Sequence, residues 1–268
     1  MKNLIITTIL TFVFTSAYCQ NRSYDIVVNL DDRILNDNQA ERDIELIKDA
    51  FREWEANVKK QFYILSNDCF RVLVTDQKST PASVENLVSE LQIDLRKVGN
   101  PQKRIEVDRF ASALENRLNK LYKLAYVSDY KSDYSGANIW KYLNSMYSDE
   151  IKNSNEYHTH LIILTDGYID FEGKQVSYNK DKKYSNTFFL SEIRTLDWKN
   201  ELSTTGLLPC VIDLSNTTVS IYEITPKVAF PFELQIIKSL YDNWFKSMDA
   251  KKVITRGRTN NVSYVSNL

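Results

Sequence analysis

His158-Thr-His-Leu-Ile-Ile-Leu-Thr-Asp-Gly-Tyr168 is the stretch that decides the fold. Leu161 to Leu164 are consecutive apolar residues, too few for an independent helix, and they stop at Thr165-Asp166-Gly167. A short apolar run bounded by turn residues reads as a buried strand. Its C-terminal edge then presents the Asp166 carboxylate, and that edge is where open α/β sheets place their ligands. Gly167 permits a sharp turn or a close backbone approach directly after the carboxylate.

Tyr24-Asp-Ile-Val-Val-Asn-Leu-Asp31 is a second β-branched run that stops at a carboxylate, followed by Asp32 and Arg33. Ile44, Ile47, Phe51, Trp54 and Val58 then recur at helical spacing, with Asn38 and Glu41 as a helix-opening capping pair. Phe70-Arg-Val-Leu-Val-Thr-Asp76 reads as another strand. From Val84 to Ala125 the pattern is a helical hairpin broken at Gly99-Asn100-Pro101. Val84, Leu87, Leu91 and Leu95 stripe one arm, and Phe110, Leu114, Leu118 and Leu121 the other. A polar turn, Tyr130 to Asn138, leads into a short helix from Ile139. After the opening strand, Asp170 to Lys183 reads as an exposed loop and Phe188 to Leu196 as helical. Leu207 to Leu214 and Thr217 to Ile224 read as strands. Leu234, Ile237, Tyr241, Trp244 and Met248 stripe a terminal helix with Pro231 just inside its start, and residues 255–268 read as a loose polar tail. Strands alternating with helices over this length predict an α/β domain, a mainly parallel sheet covered on both faces.

Met1-Lys2-Asn3, the apolar run Leu4 to Phe14 and the small residues before Cys19 fit a signal peptide over residues 1–19. Lipid attachment at Cys19 needs a small residue before it, and Tyr18 is bulky, so cleavage and export to the periplasm or the medium are expected. No later apolar stretch is long enough to span a bilayer. A net charge of −1 with mixed signs gives no basic face for nucleic acid. Cys69 and Cys210 each sit in or beside an apolar run and read as free, buried residues. His158 and His160 have no cysteine or carboxylate at metal-ligand spacing, and alternation at a strand entrance accounts for them.

Asp25-Ile-Val-Val-Asn-Leu-Asp31, then Ser135-Gly-Ala-Asn-Ile139, then Leu161-Ile-Ile-Leu-Thr-Asp-Gly167 resemble, in order, the three landmarks of the von Willebrand factor A domain family. That family carries an Asp-x-Ser-x-Ser loop, a Gly-Thr loop and a Thr-Asp-Gly or Ser-Asp-Gly loop. The resemblance implies a three-layer Rossmann-like von Willebrand A fold over residues 20–254, with the helical hairpin as an insertion at about 81–128. It also implies a divalent cation such as Mg²⁺ at Asp31, Ser135 and Asp166, completed by a carboxylate from a protein partner. The chain departs from the pattern where it matters chemically. Arg33 and Leu35 stand at the serine positions and Ala137 at the threonine position, so the hydroxyls are gone. Mg²⁺ demands near-octahedral oxygen ligands. The expectation is therefore a site without metal or other cofactor, drawn from Asp31, Asp32, Arg33, Ser135, Asn138 and Asp166, in which the Arg33 guanidinium bridges Asp31 and Asp166. A simpler account has Asp31 capping the turn that follows it.

The function that follows from the resemblance is an exported, non-enzymatic protein-binding module. No nucleophile, base and orienting group assemble from the sequence, and the histidines precede a strand, at the edge opposite Asp166. Two alternatives remain open. A haloacid-dehalogenase-like phosphatase would use Asp31 as nucleophile, although Arg33 stands where its acid belongs. A structural subunit of an envelope assembly would use the apolar stripes of the hairpin.

Overall fold

The computed structural model describes residues 20–75, 82–171, 177–178 and 182–259. The expected signal peptide and the end of the expected tail lie outside the described residues. In chain order the elements begin with β1 (Asn21–Val28), α1 (Gln39–Lys60), β2 (Cys69–Val74), α2 (Ala82–Glu90), β3 (Gln92–Asp94) and α3 (Lys103–Ala125). A helical run follows, from α4 (Ile139–Lys141) through a π-helical segment (Tyr142–Tyr147) to α5 (Ser148–Glu150). Then come β4 (Tyr157–Leu164), β5 (Ser177–Tyr178), β6 (Lys183–Tyr184), α6 (Leu190–Ile193), α7 (Trp198–Thr204) and β7 (Gly206–Leu207). β8 (Thr217–Ile224), α8 (Glu233–Lys246) and β9 (Lys252–Gly257) complete the order.

The main sheet has the order β3-β2-β1-β4-β8-β9 and is parallel except for β3, which runs antiparallel to β2. Side chains alternate across it. Ile26, Val28, Phe70, Val72, Ile162 and Leu164 face a core shared with α1, α2 and α3. Val27, Leu73, Leu161, Ile163, Val219 and Ile221 face a second core shared with the α4 to α5 run and α8. The result is a three-layer, Rossmann-like α/β fold, as the alternation of elements predicts. No helix among the described residues is long and apolar enough to cross a membrane.

The structure departs from the sequence reading at several elements. The expected helical hairpin is a helix, a strand and a helix. α2 stops at Glu90 because Gln92–Asp94 pairs with Cys69–Arg71. Val84, Leu87, Leu91 and Leu95 are buried as expected, but Leu91 and Leu95 flank the strand instead of continuing a stripe. The α3 stripe packs within the main core, against the sheet and α1, as the apolar spacing implied. Asn38 opens α1 from a left-handed conformation, φ 54°, without a side-chain cap. Only Gly206–Leu207 of the expected strand 207–214 is extended, in a small second sheet with β5 and β6, and Pro209 offers no N–H for a longer ladder. Leu190–Ile193 is all that is helical between Phe188 and Leu196. The expected tail contributes Thr255 to Gly257 to β9, because the apolar Val253 and Ile254 pair with β8 first. Cys69 and Cys210 are both free and buried, as the sequence implied.

Candidate functional site

β1 and β4 pair in register through Val28 and Leu164, so the residues after both strands emerge side by side at the carboxyl edge. Asn29 fastens them. Its Nδ2 donates to Asp31 Oδ2 at 2.8 Å and to Thr165 Oγ1 at 3.3 Å, while its Oδ1 accepts from Thr75 Oγ1 at 2.8 Å. Asp31 is fully buried, and its Oδ1 accepts the Arg33 amide at 3.1 Å, which caps the 3₁₀ turn Asp32–Leu35. The capping account of Asp31 is therefore realised. Asp166 Oδ1 accepts the Tyr168 amide at 3.0 Å, and Thr165 Oγ1 accepts that of Gly167 at 3.1 Å. The turn between them requires Gly167, whose φ is +98°.

Lys227 is the cation of this edge. β8 lies beside β4, and the segment after it returns over Asp166, where Thr225 N donates to Asp166 O at 3.0 Å. Lys227 Nζ lies 2.9 Å from Asp32 Oδ1, 2.9 Å from Asp166 Oδ2 and 3.0 Å from Asp170 Oδ2. Its backbone amide donates to the Tyr168 hydroxyl at 3.0 Å. That hydroxyl in turn donates to Glu233, which Arg194 holds through two contacts of 2.8 Å. The lysine is thus set from both ends, by the carboxylates it meets and by a buried network beneath its backbone.

Burial and the neighbouring Asp166 push the Asp31 carboxyl well above its ordinary range, against the pull of Arg33 and Lys227. Burial likewise raises Asp166, opposed by the Lys227 ammonium and the Tyr168 amide. Burial works against the charge on Lys227, but Asp166, Asp170 and Asp31 outweigh it and keep the ammonium protonated far above neutrality.

The guanidinium of Arg33 does not bridge Asp31 and Asp166. Both its terminal nitrogens reach Asp43 Oδ2 at 2.7 Å, where Asp43 also accepts Tyr122 Oη at 2.5 Å and Gln39 Nε2 at 2.9 Å. The physical reason is a competing acceptor: Asp43 is fully buried in α1, directly beneath the turn that carries Arg33, and a guanidinium this deep needs a carboxylate partner. Asn138 Oδ1 caps α4 by accepting the Lys141 amide at 2.8 Å. Ser135 is half-buried in the loop that meets Asp170, where a Cβ on Gly136 would lie 2.7 Å from the Asp170 carbonyl oxygen. Asp32 and Asp166 are in the cluster as expected, and Asp170 and Lys227 are additions.

Asp31, Asp32 and Asp166 each offer an oxygen within 4.8 Å of the others, a spacing that a cation can bridge. A divalent ion does not fit the group as it stands. The Lys227 ammonium holds Asp32 and Asp166, and Arg33, Leu35 and Ala137 supply no hydroxyl. His158 and His160 lie at the other edge, with His158 between Asn216 (3.1 Å) and Thr218 (3.2 Å). No family model matches the chain, and no curated protein matches it either.

Proposed function

We propose that the chain is an exported binding module of the von Willebrand A type whose ligand edge is built around a tethered lysine in place of a metal ion. The observation that carries this reading is Lys227 Nζ within 3.0 Å of Asp32, Asp166 and Asp170. The strand order β3-β2-β1-β4-β8-β9, with its single antiparallel edge strand, supports the family resemblance. Lys227 meets Asp32, Asp166 and Asp170, Lys131 Nζ stands 3.9 Å from Asp32 Oδ2, and Arg33 is taken by Asp43. Asp32 and Asp170 stay partly exposed, at 16% and 29%, so the edge offers their carboxylates to basic side chains of a protein partner. Asp31, the nucleophile a phosphatase would need, is fully buried with both oxygens accepting hydrogen bonds, which weighs against catalysis there.

Calorimetric titration of the full chain with Mg²⁺, Mn²⁺ and Ca²⁺ tests the reading. Silence into the millimolar range is expected. Micromolar binding abolished by Asp31→Ala or Asp166→Ala would refute it.

A further inference from the structure

We propose that the edge of β9 that no described strand covers takes an extended acidic segment of a partner protein as an added strand, its carboxylates received by Arg256 and the basic residues beside it. The inference rests on the reading of the chain as a binding module, but it uses residues apart from the Lys227 cluster. Among the described residues β9 has one neighbour, β8, so alternate backbone N–H and C=O groups of Lys252–Gly257 face outward on the other side. An unpaired edge is a template for β-augmentation, with side-chain pockets supplying specificity.

The chemistry of the edge selects the partner's charge. From Lys251 to Leu268 the chain has no acidic residue; Lys252 and Arg256 share one face of the strand with Ile254 between them, and Arg258 follows just past its end. Gly257 belongs to the opposite face, where it meets Leu234 of α8. A groove of about 390 Å³ runs along the edge, lined by Ile254, Arg256, Thr255 and Thr259 and bounded by Leu46 and Lys238. Glu223 also lines it, but Arg42 neutralises that carboxylate at 2.7 and 2.8 Å. Arg258 is held by Gln39 and by the Asp37 carbonyl, both uncharged, and so keeps its full positive charge. Arg256 is half-buried, and its Nε is shielded from water without a hydrogen-bond partner among the described residues, a position that an incoming acceptor would satisfy. Charged edge strands also guard against aggregation, but that role calls for hydrated side chains and does not account for a buried, unpaired Nε.

Strain marks the same place. Glu223 sits in the left-handed region at φ 68° inside β8, at the shift in register between β8 and β9. A non-glycine residue is held there only when its surroundings over-determine it, and such outliers gather at binding sites. The distortion presents Glu223 to Arg42 and leaves Arg256 to the groove.

Fluorescence anisotropy with the full chain tests the proposal, using a labelled, end-capped peptide of about eight alternating valines and glutamates. Saturable binding on the order of 10–100 μM is expected, weakening with salt and falling about tenfold in Arg256→Gln and in Lys252→Glu. The same peptide with lysine for glutamate should not bind. N-methylation of alternate amides should abolish binding on the strand-adding side, which separates backbone pairing from simple charge attraction. Arg104→Ala, on the exposed face of α3, should leave the affinity unchanged. The proposal is overturned if the glutamate peptide does not bind, if N-methylation has no effect, or if Lys227→Ala removes binding while Arg256→Gln does not. The last of these would place the peptide at the carboxylate cluster and leave the binding-module reading standing.

Discussion

Lys227 Nζ and Asp166 Oδ2 are 2.9 Å apart, and Asp166 is 2% exposed while Lys227 is 27% exposed. The lysine therefore enters the carboxyl edge from outside and supplies the positive charge that the buried aspartates need. Replacing it with methionine keeps a side chain of similar length and removes that charge, which stands 5.3 Å from the centre of the Tyr168 ring. Raised carboxyl pKa values contribute stability that is complete below the unfolded pKa and lost as pH rises through the folded one. Without Lys227 the Asp31 and Asp166 values rise further, so the loss is larger at neutral pH. Lys227→Met should cost roughly 1–3 kcal/mol at pH 7 and less at pH 5, measured by urea unfolding at both.

Arg33 and Asp43 form an ion pair with side chains 1% and 0% exposed. Removing one partner leaves the other charged and buried, so Arg33→Met and Asp43→Leu should each destabilise by about 3–5 kcal/mol. The double variant should cost clearly less than the two single costs added together. Equilibrium unfolding of the three variants, read as a double-mutant cycle, gives the coupling.

His160 stacks on Tyr24 with ring centroids 4.4 Å apart, and burial with the neighbouring His158 lowers its pKa to about 3. A histidine depressed in this way stabilises the fold above its unfolded pKa, and that contribution is lost as pH falls from the unfolded value toward the folded one. At roughly 1.4 kcal/mol per unit, the penalty between pH 6.5 and 4 reaches about 2–3 kcal/mol. His160→Phe keeps the stack and should flatten the decline of the unfolding free energy over that window. An unchanged slope would place the acid sensitivity elsewhere.

Gly167 joins the fold marker to the site. A Cβ there would lie 2.5 Å from Ile237 Cγ2, and its φ of +98° is costly for any residue with a side chain. Gly167→Ala should lower stability by about 2 kcal/mol or more. It should also displace the Asp166 turn relative to Lys227, which the chemical shift of the Lys227 ammonium would report.

The sheet was legible in the sequence because its central strands are continuous apolar runs that end in carboxylates: Ile26 to Val28 before Asp31, and Leu161 to Leu164 before Asp166. The α8 stripe from Ile237 to Trp244 was equally clear. β3 and β9 were hidden for a common reason. Each is an edge strand that carries few apolar residues, and its pairing comes from a neighbour far along the chain. The two aspartates of the site followed from strand ends, but its cation was assigned to Arg33 because that residue is near Asp31 in sequence. Asp43 captured it through a contact that periodicity does not reveal. Lys227 had a usable signal: it follows β8, the strand beside β4, at the same edge as Asp166. Reading the residues after every parallel strand would have found it.

Mn²⁺ titration of the wild-type chain and of Lys227→Ala, followed by calorimetry at neutral pH, tests most directly whether the lysine stands in for a metal. No binding by the wild type is expected below millimolar Mn²⁺, and binding at least about tenfold tighter is expected in Lys227→Ala, where Asp32 and Asp166 are released. Micromolar binding by the wild type that the substitution leaves unchanged would contradict it.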